Sequence, residues 1–113
     1  MAETESPEEV CRRFGADLVA TRPDSKLGVS PFLSSESLPI HGLSHPPQAD
    51  TCGWYIWSGE LSSDPDFFRP LQAAHLADRC PQVLKYLGLA PGWRFLIAPD
   101  HEDVWYDKSL LQI

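Results

Sequence analysis

The groups able to do chemistry in this chain are three cysteines, four histidines and the carboxylates gathered behind one aromatic run. Cys52, with His75 or His101 as its base, would make a thiol–imidazole couple for nucleophilic catalysis. Nothing beside it in sequence lowers its thiol pKa, and its acidic neighbours disfavour thiolate. The competing account is a small residue entering a strand. His41 and His45 could join Cys52 in a three-ligand metal site, but their spacing suits ligation only in a helix, and Pro46-Pro47 argues for loop. Two solvated histidines are therefore expected. Glu60, Asp64 and Asp66 could act as paired carboxylates in hydrolysis or hold a hard cation, yet the regular spacing of a calcium loop is absent. Asp64-Pro65-Asp66 also makes an ordinary turn. His101, between Asp100 and Glu102-Asp103, is either a general base with a raised pKa or part of an exposed hairpin tip.

The most informative stretch is Asp50-Thr51-Cys52-Gly53-Trp54-Tyr55-Ile56-Trp57-Ser58-Gly59-Glu60. Its rings bury apolar area but supply no nucleophile or base. The four tryptophans read first as core. One is expected to stand exposed as an anchor for a partner, and Trp57 and Trp105, each next to an acidic turn, are the candidates.

Charge narrows the partner. Nine basic and sixteen acidic side chains give a net charge of −7, which phosphate backbones repel. Nucleic acid is not expected as a ligand, and a basic protein surface is. Solubility alone is the plainer account of the same charge. The odd cysteine count, with wide spacing and no Cys-x-x-Cys, reads as reduced thiols in a cytoplasmic protein. The acidic start Met1-Ala2-Glu3-Thr4-Glu5 does not read as a signal peptide, and no run is apolar enough to span a bilayer. No cofactor is implied.

The elements that must position these groups fit one domain over residues 1–113, with an acidic tail at 1–5. Ser6-Pro7-Glu8-Glu9 is a capping box, and Arg12, Arg13 and Gly15 close the helix, giving residues 7–14. Leu18 to Thr21 reads as a strand. Residues 23–52, rich in proline and serine, read as loop, with a short edge strand from Val29 to Leu33. Trp54 to Trp57 is a central strand. Pro70 to Asp78 holds a helical turn, and Pro81 to Gly88 a short helix whose buried side is Val83, Leu84 and Leu87. Pro91-Gly92 turns into Trp93–Ile97, Asp100 to Asp103 forms an acidic turn, and Val104-Trp105-Tyr106 returns as a hairpin. Leu110, Leu111 and Ile113 close an apolar edge. The fold class expected is α+β, an antiparallel sheet of about four to five strands with two short helices and a C-terminal hairpin.

The block from Asp50 to Phe68 resembles a bacterial family once catalogued as a domain of unknown function and now placed thirty-third among the immunity proteins of polymorphic toxin systems. The matching residues are Asp50-Thr51-Cys52-Gly53-Trp54, the aromatic strand, Ser58-Gly59-Glu60 and Asp64-Pro65-Asp66, with Leu18–Thr21 and Tyr86-Leu87 resembling flanking elements. Thr51-Cys52 stands where the family has a single serine, and the hairpin through Val104-Trp105-Tyr106 replaces its usual ending. The resemblance implies a non-enzymatic domain that binds and blocks a cognate toxin. Its partner-binding residues would be Trp57, Glu60, Asp64, Asp66, Asp100, Glu102, Asp103 and Trp105, with no metal, and the protein would act as a monomer or dimer. The alternatives are a small hydrolase or metal-dependent enzyme built on Cys52, the histidines and the carboxylates, and a regulatory domain binding a small ligand in a tryptophan-lined cavity.

Overall fold

The computed structural model describes residues 6–19, 21–22, 24–31, 33, 39–46, 52–59, 67–99 and 101–111. Helix α1 (Pro7–Phe14) opens the chain as its sequence dictates. The Ser6 hydroxyl accepts from the Glu9 amide at 3.2 Å, and the Glu9 carboxylate accepts from the Ser6 amide at 2.8 Å. This reciprocal pair satisfies two donors that the first turn leaves free. Gly15, at φ 74°, takes the left-handed cap that other residues resist. Val10 and Cys11 turn inward.

Six strands follow: β1 (Lys26–Val29), β2 (Ile40–Ser44), β3 (Trp54–Ser58), β4 (Arg69–Gln72), β5 (Trp93–Ala98) and β6 (His101–Tyr106). They form one sheet in the order β4-β1-β3-β2-β5-β6. Helix α2 (Ala73–Arg79) and a 3-10 helix (Pro81–Tyr86) lie between β4 and β5, and a 3-10 turn (Lys108–Leu111) ends the described chain. The class is α+β, as expected, with more strands. The expectation of a wholly antiparallel sheet is corrected at one place: β1 runs parallel to β3. A parallel neighbour requires a long connection, and the segment between β1 and β3 supplies it by way of β2.

Pairing register assigns the side chains to faces. Gly42 stands opposite Ile56 on one side and Phe95 on the other, and Phe95 opposite Val104. These share a face with Trp54 and Val29, and all but the glycine belong to the main core. Tyr86 from the 3-10 helix stacks on Phe95 at 4.5 Å between centroids and 16° between planes, and Trp54 meets the same ring at 5.7 Å. Gly42 is needed there. A methyl group on its Cα would stand 2.1 Å from Phe95 Cε2.

Several elements depart from the sequence expectation. Residues 41–44, read as loop, are in β2, an interior strand. His, Gly and Ser give it little intrinsic strand preference, and hydrogen bonding to β3 and β5 on both sides holds it. The short strand expected at Val29–Leu33 lies earlier, at Lys26–Val29, and inside the sheet. Of the strand expected at Leu18–Thr21, the described residues make an isolated bridge, Leu18 to Leu89. Pro70 sits in edge strand β4, where its missing N–H costs little, and the helix begins at Ala73. The expected helix at 81–88 is a 3-10 helix, with Tyr86 also buried. The acidic turn is shorter than expected, because His101 to Asp103 belong to β6. Leu110 is buried, Leu111 is exposed, and Ile113 lies outside the described residues.

Because Phe95 is clamped between Gly42 and Tyr86, Gly42→Ala forces the ring off its stack. Urea unfolding of this variant will show a loss of about 1–3 kcal/mol, the range for overpacking a filled core.

Candidate functional site

Trp105, Asp103 and Glu102 are brought together on β6, the outermost strand. Trp105 is 36% exposed and the adjacent Tyr106 50%, each leaning toward an opposite face of the sheet. The Arg94 guanidinium lies 5.4 Å from the Trp105 ring centre, and its Nη1 is 3.2 Å from Asp107 Oδ2. The Ser109 hydroxyl and amide, and then Arg94, hold the Asp107 carboxyl below its ordinary pKa. Trp105 therefore has a supported inner flank and an open outer one. Tyr106 was not singled out from the sequence. Strand alternation is the signal that places it on the face opposite Trp105, where its ring meets Trp93 edge-on at 5.6 Å.

Trp57 does not stand exposed. It is 4% accessible, and the expectation of a surface anchor there is corrected. Its side chain points away from the helical layer, yet the His41 ring stacks on it at 5.1 Å and 11°, and Phe68 meets it edge-on at 6.0 Å. A central strand leaves little of either face to solvent. Glu60, Asp64, Asp66 and Asp100 lie outside the described residues.

Glu102 is not a free surface charge. Arg13 grips its carboxylate with two bonds, 2.8 Å and 3.0 Å, Lys85 lies 3.8 Å away, and the Tyr86 hydroxyl donates to it. The Arg13 bonds, joined by the Tyr86 bond and the two nearby cations, outweigh partial burial and depress its pKa from 4.5 to about 2. This cluster ties α1, the 3-10 helix and β6 together.

The catalytic and metal candidates are dispersed. His45 donates from Nδ1 to the Leu110 carbonyl at 2.8 Å and lies edge-on to Tyr55. A carbonyl can only accept, so that nitrogen carries the proton. Burial, then Arg94, pushes the pKa of His41 down. On an extended strand, residues four apart stand about 13 Å from each other, too far to share an ion. Among the described residues no group of three His, Cys, Asp or Glu side chains is placed to hold a metal. Cys52 leads into β3 at the Trp54–Ser44 end of the sheet, whereas His101 lies beside Ala98 at the other end. No hydrogen bond joins Cys52 to His101 or to the exposed His75. Burial raises the pKa of the Cys52 thiol above its ordinary value, which disfavours the thiolate further. Cys11 is likewise raised, and burial pushes Cys80 up to about 11.

A cleft of about 380 Å³ opens between the start of α1, the Leu18–Thr21 segment, α2 and the 3-10 helix. Leu18, Ala74, Leu84 and Leu87 line it, with Glu8 at its rim, and none of its lining residues is a tryptophan. The tryptophan-lined cavity that a small-ligand reading asked for is not this one.

Two outcomes follow from these environments. Glu102 gains its partners only on folding, so its stabilisation is complete above about pH 4.5 and is lost as pH falls toward 2. Glu102→Gln will cost about 1–2 kcal/mol at pH 7 in denaturant titrations, and the difference from wild type will close in strong acid. Alkylation of Cys52 by iodoacetamide, followed by mass spectrometry, will be slow at neutral pH and accelerate only above pH 9.

Comparison with curated proteins and with solved structures gives no match. The Imm33-like domain matches residues 6–107, from the cap of α1 to the residue after β6, and that span includes every strand of the sheet. By this match over most of its length, the chain belongs to the Imm33-like domain family.

Proposed function

We propose that this protein is a non-enzymatic immunity protein that binds and neutralises a basic toxin domain in the cytoplasm, acting as a monomer or dimer. The Imm33-like match over residues 6–107 is the observation that carries this reading. The chemistry of the side chains supports it. A half-buried Cys52 thiol with a raised pKa, and His41 and His45 engaged in packing, make a poor catalytic set. An exposed tryptophan backed by an arginine makes a good contact residue.

In this mechanism the acidic side chains Glu60, Asp64, Asp66, Asp100 and Asp103 steer a basic surface toward the protein, and Trp105 is the group desolvated on contact. Glu102 is held to a structural role by Arg13. Neutralisation is occlusion: no bond is made or broken in the toxin. The net charge of −7 disfavours nucleic acid as the ligand. No described helix is long and apolar enough to cross a membrane.

Co-expression with a cognate toxin domain will restore growth to cells that the toxin alone kills, and a catalytically inert form of that toxin will co-purify with it. Continued killing at equal expression sinks the proposal. Charge reversal of Asp64 and Asp103 together will slow association about tenfold at low salt, with the gap closing at high salt, as expected when the charges act at long range. An association rate insensitive to both changes removes steering from the mechanism.

A further inference from the structure

The two edges of the sheet differ. Strand β4 has four residues, one of them Pro70, and such an edge resists pairing with another chain. Strand β6 has six residues and no proline, and only Val104 along it is buried. Among the described residues no strand pairs with its outer side. The Asp107 amide donates inward to the Gly92 carbonyl at 2.6 Å. In an antiparallel ladder the direction alternates, so the N–H groups of Glu102, Val104 and Tyr106 face outward, with their carbonyls beside them.

We propose that this free edge of β6 is a strand-addition site for an extended, basic segment of a partner protein. The inference rests on the protein-binding reading above and gives it a geometry. An added strand would take its backbone bonds from Glu102, Val104 and Tyr106 and extend the sheet. Its side chains would alternate between two surfaces. On one, Asp103 and Trp105 stand two residues apart, and among the described residues Asp103 forms no ion pair. A lysine or arginine there would meet a carboxylate and an aromatic face together. On the other, the half-exposed Tyr106 ring offers apolar surface to a β-branched residue, beside the already buried Val104. The charge of −7 sets the choice of occupant: two copies of this chain would bring like charges together along the edge, whereas a basic segment relieves them.

The probe is a synthetic peptide of about nine residues alternating lysine with valine, compared with the same peptide carrying glutamate for lysine. Amide exchange and chemical shifts are followed by NMR on the full chain. The lysine peptide will slow exchange of the Glu102, Val104 and Tyr106 amides about tenfold and move resonances along 101–106. Asp103→Lys, at an exposed position, will weaken the lysine peptide and favour the glutamate one. Absence of protection, or shifts centred on the cleft between α1 and α2, overturns the proposal. So does protection that grows with protein concentration alone, which would place a second copy on the edge. If inert toxin binds while these amides stay unprotected, the edge is wrong and toxin neutralisation stands. If the peptide docks on β6 but co-expressed toxin still kills, the reverse holds.

Discussion

The core side of this molecule is organised around the Phe95 ring. It lies directly on the backbone of Gly42, meets Trp54 on one side and carries Tyr86 stacked on it. That single contact sets the distance between sheet and helical layer, because a ring pressed on a glycine cannot move inward and a stacked tyrosine prevents it moving outward. It also explains why β2, poor in strand-forming residues, occupies an interior position. The strand is there to present a glycine beneath the ring, and its two neighbours supply the hydrogen bonds.

The same tyrosine connects packing to charge. Its ring belongs to the apolar stack, and its hydroxyl reaches the Glu102 carboxylate, where Arg13 and Lys85 also converge. Helix α1, the 3-10 helix and the terminal hairpin are thus joined at one ionised group. An acid at the hairpin that appears in sequence as a surface charge is spent on holding the hairpin to the body. The adjacent Asp103 is left to face solvent, and Trp105 and Tyr106 continue the strand. Rigid support on the inside, and an outer side to which no described strand pairs, are what the proposed docking of another chain on β6 rests on.

Local signals in the residues predict structure where the physics is local. The capping box of α1, the aromatic β3 strand and the Pro91-Gly92 turn depend on neighbours within a few positions and form where their residues predict, and the terminal hairpin forms with a tighter turn than expected. Strand β2 was unreadable for the opposite reason, since His41-Gly42-Leu43-Ser44 is held by partners far along the chain. The parallel pairing of β1 with β3 and the sixth strand share that cause. Among the candidate site residues, Trp105 and Asp103 keep the exposure expected of them. Trp57 does not, because what covers it comes from His41 and Phe68, and no pattern near Trp57 announces either.

Composition determined the acidic character, composition and cysteine spacing the unpaired thiols, and short-range periodicity the α+β class. Tertiary structure decided which charges remain available and which are consumed. Glu102 and Asp103 are neighbours of similar chemistry, yet one meets Arg13, Lys85 and Tyr86 and the other does not. The strand alternation sends them to opposite faces, and only one face has a helix packed upon it.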